Sequence, residues 1–351
     1  MKKFKKLIII SQILLIFLFC IKVQNTALGA TISKGECVME VTSGRILYSS
    51  NQDLKLPIAS TTKILTAITV IENFYLDKII KVPKKATLIE GSSIYLKEGE
   101  RLTVKELLYG LMLRSGNDCA YTLASTLTNY DDFIKLMNDT ASKLGCKNSN
   151  FVNPHGLHDD NHYSSAKDLC LITCHAMKNK TFREIVSTKK ISISNEFYDY
   201  KRVLINKNKL LYNLDGCNGV KTGYTKKAGR CLVTSCNKNG FEVVSVVINS
   251  PDMYNRTTEL INNSFSSYKM YKLVDKDEIC DKVYTADDGR VFTVTINKGF
   301  YYPLKENELS SLKITINGQN SQKFFKNPSN FGVFEIFLQN ELIFSQNIYT
   351  I

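Results

Sequence analysis

The sequence predicts an α/β fold made of two parts. In the first part an antiparallel sheet is flanked by helices and carries a helical lobe, and the second part is a small all-β domain. Three observations predict it: residues 218–248 alternate as three strands, residues 103–187 have the apolar spacing of successive helices, and alternation returns beyond residue 276. A chain of 351 residues is long enough for one large and one smaller domain.

The first 30 residues have the layout of a secretory signal. Four lysines in the first six residues precede an apolar run over 7–21, and the small residues Ala27, Gly29 and Ala30 follow. We therefore predict a signal peptide over residues 1–30 and an exported, extracytoplasmic protein. An uncleaved anchor is the alternative, because the apolar run is only slightly short for a membrane span.

Residues 37–48 are predicted to form a hairpin with its turn at 42–45. The apolar spacing from Ile64 onward predicts a helix that ends near Phe74. Residues 79–100 have the pattern of short strands and loops.

The helical lobe is predicted to begin at Thr103, which forms a capping-box match with Glu106. This helix is predicted to end near Arg114, and further helices are predicted over 118–128 and 131–144. Because helical spacing continues to residue 187, we expect an all-helical lobe inserted into the α/β domain.

A polar region at 187–210 is followed by an antiparallel meander whose last turn is Asn239–Gly240. A helix over 253–271 is predicted to pack on this meander. The large domain is therefore predicted to span residues 31–272 and the β-rich C-terminal domain residues 277–351.

The charge of the chain favours anionic surfaces as partners. The formal charge is +13, and removing the five lysines of residues 1–30 leaves about +8. This charge suits electrostatic association with an anionic wall or membrane surface. Nucleic acid is not expected as a partner, because the basic residues are dispersed and the protein is predicted to be exported.

The ten cysteines and the clustered histidines do not predict a metal site or another cofactor. Nine cysteines remain without Cys20, scattered with no obvious disulfide framework, and we predict buried free thiols. His155, His158 and His162 are closely spaced, but Pro154 and Gly156 break any helix that would align them. A hydrogen-bonded loop that braces the wall of an active site is predicted there instead of a zinc site.

Ser60 and Lys63 have the spacing of an activated serine and its base. Ser60 is predicted near the N-terminus of a helix, and three residues later Lys63 lies on the same helical face. The unpaired amides of a first turn favour negative charge beside Ser60. A lysine can accept the serine proton only when its pKa is depressed.

The order of three motifs, and not the first motif alone, identifies this serine. Ser-x-x-Lys also occurs at Ser164, Ser187, Ser235 and Ser266. Only Ser60 is followed by Ser115-Gly116-Asn117 at the end of an apolar helix and by Lys221-Thr222-Gly223, which occurs once, in a strand-like segment. This ordered triple is the signature of penicillin-binding proteins and serine β-lactamases.

Residues 36–272 resemble the low-molecular-mass penicillin-binding proteins, the D-alanyl-D-alanine carboxypeptidases of the S11 serine peptidase type. The segments that carry the resemblance are 59–63 (ASTTK), 115–118 (SGND), 153–157 (NPHGL) and 219–225 (GVKTGYT). The resemblance implies a β-lactamase/transpeptidase-like fold and removal of the terminal D-alanine from peptidoglycan stem pentapeptides. It also implies that β-lactam antibiotics are covalent inhibitors.

The resemblance also implies a role for each motif residue. Ser60 forms the acyl-enzyme and Lys63 is its base, while Ser115 and Asn117 relay the proton and hold the substrate amide. Lys221 binds the terminal carboxylate beside Thr222 and Gly223, and the amides of Ser60 and Tyr224 form the oxyanion hole.

The chain departs from the family pattern in two places. Many relatives have histidine where this chain has Tyr224, so an altered rate or penicillin sensitivity is expected. Many relatives also end in an amphipathic membrane-binding helix, and the sequence over 344–351 has no such pattern.

Two other functions compete with this interpretation. A class A β-lactamase would use a glutamate-bearing loop for deacylation, but no Glu-x-x-Leu-Asn segment occurs between Asn117 and Lys221. A non-catalytic wall-binding protein would not need Ser60, Lys63 and Lys221, which are all present.

Overall fold

The structure is a computed structural model that describes residues 34–194, 197, 199–276, 279–285, 291–318 and 332–350. The predicted signal peptide lies outside the described residues. In the part of the chain that is described, no helix is long and apolar enough to cross a membrane. The described residues from Gly35 onward belong to one compact unit.

The elements of this unit alternate between helical and strand-rich segments. The helices are α1 (Lys63–Asn73), α2 (Val104–Leu113), α3 (Asn117–Leu127), α4 (Tyr130–Lys143), α5 (Ala166–Lys178), α6 (Lys180–Ser187), α7 (Leu210–Asn213) and α8 (Met253–Ser267). Short 3-10 helices span Ala59–Thr62, Lys84–Leu88 and Glu306–Ser311. The strands are β1 (Gly35–Glu40), β2 (Ile46–Ser50), β3 (Ile79–Lys81), β4 (Arg101–Thr103), β5 (Lys190–Ile193), β6 (Arg202–Ile205), β7 (Cys217–Thr225), β8 (Gly229–Lys238), β9 (Phe241–Ile248), β10 (Lys269–Val274), β11 (Ile279–Thr285), β12 (Val291–Thr295), β13 (Phe300–Leu304), β14 (Leu312–Gly318), β15 (Gly332–Leu338) and β16 (Glu341–Thr350).

The central sheet has five antiparallel strands in the order β2-β1-β9-β8-β7. The chain leaves this sheet after β2, builds helices α1–α6, and returns to it at β7. The predicted α/β fold with an inserted helical lobe is therefore confirmed. A second five-stranded sheet in the order β11-β12-β16-β15-β14 confirms the predicted C-terminal β structure.

Strand β9 shows why the sheet sequence is so apolar, because all eight of its residues are buried. Side chains alternate between the faces of a strand. Val244 and Val246 accordingly pack in the core beneath the helical lobe, while Val243 and Val247 pack in a second core with Leu260 of α8. Helices thus cover both faces of the sheet.

The local predictions for the lobe hold in detail. The Thr103 side chain accepts a hydrogen bond from the Glu106 amide (3.2 Å), and the Glu106 carboxylate accepts one from the Thr103 amide (2.9 Å). Helix α2 ends at Leu113, so residues 115–116 form the turn before α3. The second catalytic motif therefore lies where the sequence predicts it.

Two predictions along the chain are wrong. The helix predicted over 253–271 ends at Ser267, because residues 269–274 form β10 and pair with β13 of the C-terminal part. The region at 187–210 is not simply polar, since it contains the hairpin β5–β6. Strand pairing outweighs the local pattern in both places, with a distant segment for β10 and with a neighbouring strand for β5.

Candidate active site

Ser60 lies in the 3-10 turn that leads into α1, next to a backbone in an unusual conformation. Ala59 has φ of +49°, a left-handed conformation that is uncommon for a residue with a side chain. The Thr62 hydroxyl donates to the Ala59 carbonyl (2.8 Å) and lies 2.8 Å from His162 Nε2. Because His162 Nδ1 accepts from the Val152 amide (3.2 Å), Nε2 carries the proton that it donates to Thr62. These bonds hold the turn on which the serine is presented.

Lys63 is fully buried beneath Ser60 and has three hydrogen-bond acceptors. Its ammonium nitrogen Nζ lies 3.0 Å from Ser60 Oγ, 2.7 Å from Asn117 Oδ1 and 2.6 Å from the His155 carbonyl oxygen. Burial, and secondly the charge of Lys221, lower the pKa of Lys63 well below its ordinary value. A lysine with a lowered pKa, within hydrogen-bond reach of a serine hydroxyl, can accept the serine proton.

The second motif is tied to a loop that runs along the site. Ser115 is nearly buried and has φ of +65°. The side chain of Asn117 accepts from Lys63 at Oδ1 and donates from Nδ2 to the Glu90 carbonyl (2.5 Å). The backbone N–H of Asn117 donates to the Ser92 carbonyl (2.7 Å). The Asp118 carboxylate accepts from the Ser93 hydroxyl (2.6 Å) and from the amides of residues 94 and 96. Asn117 is thus placed by the loop as well as by its own helix.

The third motif lies on β7, the edge strand that passes Ser60. A side chain at Gly223 would place its Cβ 3.1 Å from the Ser60 nitrogen and 3.2 Å from the Ile58 oxygen, so glycine allows the close approach. Lys221 is only 2% exposed, and its Nζ donates to the Thr222 carbonyl (2.8 Å). Burial, and then the charge of Lys207, lower the pKa of Lys221 to about 7.

The histidine-containing loop braces the nucleophile, as the sequence predicts. The Pro154 carbonyl accepts from Thr66 of α1 (2.7 Å), and the His155 carbonyl accepts from Lys63. Gly156 has φ of +84°, and a Cβ there would lie 1.9 Å from the Ala59 oxygen. The loop therefore packs directly against the turn that carries Ser60.

The histidines of this loop serve hydrogen bonds. His155 Nδ1 accepts from the Leu157 amide (3.2 Å), and burial lowers the pKa of His155 to about 3 and that of His162 to about 4. Both rings are therefore neutral at physiological pH. Among the described residues no group of three or more His, Cys, Asp or Glu side chains could hold a metal ion. The eight cysteines from Cys37 to Cys236 carry free thiols.

A cavity of about 310 Å³ opens onto Ser60. Ser60, Ser115, Thr222, Gly223 and Tyr224, which the sequence predicts, line it together with Ser92, Lys207, Arg230, Met253 and Tyr254. Lys63, Asn117 and Lys221 lie buried next to these lining residues. All eight predicted site residues are therefore brought together.

The sequence did not identify five of the lining residues as part of the site, namely Ser92, Lys207, Arg230, Met253 and Tyr254. They come from four separate segments and belong to no motif with a spacing that could have revealed them. The role of Asp118 in holding the loop at residues 93–96 could have been suspected from the sequence, because Asp118 directly follows Asn117 of the second motif.

The fold and the site define a class of serine enzymes in which a buried lysine, in place of a histidine, lies within hydrogen-bond reach of the serine hydroxyl. Within this class the family model of peptidase S11, described as D-alanyl-D-alanine carboxypeptidase, matches residues 22–252. The chain belongs to this family. It is a serine-type D-Ala-D-Ala carboxypeptidase, a hydrolase of the penicillin-binding type that acts on peptidoglycan peptides and binds β-lactams.

Individual relatives agree with this assignment. The chain is 33% identical to D-alanyl-D-alanine carboxypeptidase DacF of Bacillus subtilis over 269 residues, which is 74% of this chain and 69% of the relative. It is also 33% identical to the D-alanyl-D-alanine carboxypeptidase of Streptomyces sp. strain K15, over 66% of this chain and 87% of the relative. The comparisons give no support to the β-lactamase or the non-catalytic alternative.

Solved structures confirm the predicted fold class. Penicillin binding protein 5 from Haemophilus influenzae matches with a TM-score of 0.76 and 24% identity, over 91% of this chain and 96% of that one. The Streptomyces K15 DD-transpeptidase matches with a TM-score of 0.62 and 34% identity, over 66% of this chain and 96% of that one.

Proposed function

We propose that Ser60 Oγ attacks the carbonyl of the penultimate D-alanine in stem peptides that end in D-Ala-D-Ala. Lys63 accepts the serine proton, the terminal D-alanine leaves, and water hydrolyses the acyl-enzyme on Ser60. The observation that carries this assignment is the buried Lys63 Nζ at 3.0 Å from Ser60 Oγ. A buried ammonium is unfavourable, so this lysine is suited to be a neutral base.

Ser115 and Asn117 complete the path of the proton. Ser115 lines the cavity with Ser60 and carries the proton from Lys63 to the leaving nitrogen. Asn117 is bonded to Lys63 through Oδ1 and holds the substrate amide with the second hydrogen of Nδ2. The amides of Ser60 and Tyr224 bind the oxyanion, which is supported by the close approach of β7 at Gly223.

Lys221, with the Thr222 hydroxyl beside it, binds the terminal carboxylate by a charge-assisted hydrogen bond. The same carboxylate contact explains why β-lactams, which carry a carboxylate beside the lactam, acylate the enzyme. The charge of Lys221 also helps to keep Lys63 neutral, in agreement with the lowered pKa of Lys63.

The assignment is tested by covalent labelling with penicillin and by release of D-alanine from a pentapeptide. Ser60→Ala should abolish labelling, and Lys63→Ala should slow acylation by roughly two to four powers of ten. Ser187→Ala is the matched control, because Ser187 has Lys190 at the same spacing but its hydroxyl donates to the Glu184 carbonyl. A labelled peptide containing Ser164 or Ser187 would refute the assignment.

We also propose that the protein is exported and that residues 277–351 position it at the cell wall without taking part in the chemistry. The basic and apolar layout of residues 1–30 supports export, and the charge of about +8 without that segment supports association with an anionic surface. N-terminal sequencing of the extracytoplasmic protein tests cleavage near residue 30. A protein that still begins at Met1 would indicate an anchor instead.

A further inference from the structure

We propose that Arg230 is a specificity-determining residue that binds the terminal carboxylate of the substrate together with Lys221. This inference rests on the proposed function, since it concerns the same cavity and the same leaving D-alanine. It assigns a role to a residue outside the three motifs.

The position of Arg230 follows from the register of two neighbouring strands. Arg230 of β8 is the direct partner of Tyr224 in β7. Side chains of such a pair lie on the same face of the sheet, and so does the side chain of Thr222, two residues before Tyr224. The Arg230 guanidinium carbon lies 5.9 Å from the centre of the Tyr224 ring, and all three residues line the Ser60 cavity. The tyrosine therefore supports the guanidinium at the wall of the site.

Among the arginines that the structure describes, Arg230 is one for which no ion pair is found. Four of them pair with glutamates: Arg45 with Glu308, Arg183 with Glu242, Arg202 with Glu100 and Arg256 with Glu36. Arg230 forms no ion pair with any residue that the structure describes. None of the ten residues that line the cavity is acidic. The guanidinium is thus free to pair with an anion that enters from solvent.

Of the basic residues at the cavity, Arg230 is the one that stays charged throughout the physiological pH range. The cavity wall also carries Lys207, Tyr224 and Tyr254, and Lys221 is buried next to Thr222 of that wall. The pKa of Lys221 is about 7, and burial lowers the pKa of Lys207, so both lose charge more readily than an ordinary lysine. A guanidinium stays charged at every pH of interest and presents a planar pair of donors that matches a carboxylate.

The experiment compares Arg230→Gln with Lys226→Gln as a matched control. Lys226 is an exposed cation in the same β7–β8 turn and does not line the cavity. For each variant, kcat/KM is measured on a peptide ending in D-Ala-D-Ala and on the same peptide with an amidated terminus, between pH 6 and 9. Thermal melting verifies that each variant is folded.

Arg230→Gln should lower kcat/KM at least about tenfold on the carboxylate peptide, the effect of one charge-assisted contact. The loss on the amidated peptide should be under about threefold, and Lys226→Gln should change neither substrate by more than that. Arg230→Lys should fall between wild type and Arg230→Gln. In Arg230→Gln the activity on the carboxylate peptide should also decline more steeply above pH 7, where Lys221 loses its charge.

Three results would overturn the inference. Equal losses of kcat/KM on the two peptides would assign Arg230 a structural role. A loss in Lys226→Gln as large as that in Arg230→Gln would show that the effect comes from the overall positive charge of this surface and not from a contact of Arg230. Unchanged activity in folded Arg230→Gln would show that Arg230 does not contact the substrate, while the proposed function would stand. Failure of the wild-type protein to form an acyl-enzyme at Ser60 would instead overturn the proposed function itself.

Discussion

Lys63 and Lys221 are both buried, but the mechanism needs them in opposite protonation states. Lys63 must be neutral to accept the proton of Ser60, so acylation should rise with pH as this lysine titrates through its lowered pKa. Lys221 must be charged to bind a carboxylate, and its charge is present below its pKa of about 7 and lost above it.

We therefore expect kcat/KM on a peptide with a free terminal carboxylate to fall above about pH 7, with a residual contribution from Arg230. On an amidated peptide the fall should be much smaller, because the contact with Lys221 is absent. Measuring both profiles tests the assignment. A profile that rises to pH 9 on both peptides would contradict a charge requirement at Lys221.

The burial of Lys221 should also cost stability. Its folded pKa of about 7 lies below the ordinary value of about 10.4, so the unfolded chain binds more protons between pH 7 and 10. Stability of the wild-type protein should therefore rise with pH across that window. Lys221→Met should raise Tm at pH 6 while it weakens carboxylate recognition, and its stability advantage over the wild type should shrink by pH 10. A lower Tm for Lys221→Met at pH 6 would show that the lysine is stabilising.

At the scale of elements, the turn before α1 depends on the loop that packs against it. Gly156 and Gly145 have nearly the same φ, +84° and +82°, so alanine strains the backbone equally at both. A Cβ at Gly156 meets the Ala59 carbonyl, whereas a Cβ at Gly145 meets nothing within 4 Å.

Gly145→Ala should therefore cost only the backbone strain, on the order of 1 kcal/mol in free energy of unfolding. Gly156→Ala should cost several kcal/mol or move the turn, and it should slow acylation of Ser60 at least about tenfold. Thermal melting and penicillin acylation rates measure the two effects. Equal rates in both variants would mean that the loop does not position the nucleophile.

At the scale of the whole molecule, Arg45 links the β1–β2 turn to the C-terminal part. Its guanidinium bonds the Glu308 carboxylate (2.6 Å) and the Pro303 carbonyl, and lies between the rings of Tyr268 and Tyr302 at 5.2 and 5.1 Å. Both members of the Arg45–Glu308 pair are largely shielded from solvent. Such a contact contributes more than an exposed ion pair does.

Arg45→Ala should lower the free energy of unfolding by about 1–3 kcal/mol and increase proteolysis near β10. Acylation of Ser60 should not change, because Arg45 does not line the cavity. Lys135→Ala is the control, since the exposed Lys135–Asp139 pair should contribute less than about 1 kcal/mol. A loss of acylation in a folded Arg45→Ala variant would show that the C-terminal part takes part in the chemistry.

Short local patterns were enough to predict most elements. The Thr103–Glu106 capping box, the Asn239–Gly240 turn and the alternation of β9 depend on neighbours in sequence, and all three are found in the structure. The end of α8 could not be predicted in this way, because residues 269–274 pair with β13 about thirty residues further along the chain. Local helical propensity is weak compared with such pairing.

The sequence by itself determined the class of enzyme and singled out Ser60, Lys63, Ser115, Asn117 and Lys221 as candidates, because three short motifs stand in the order that is the signature of penicillin-binding proteins. Only the tertiary structure decided the surroundings of these residues. The His155 carbonyl on Lys63, the Glu90 carbonyl on Asn117 and the Arg230 side chain beside Tyr224 join segments far apart in the chain. Contacts of this kind depend on how the elements pack, and no spacing within one segment encodes them.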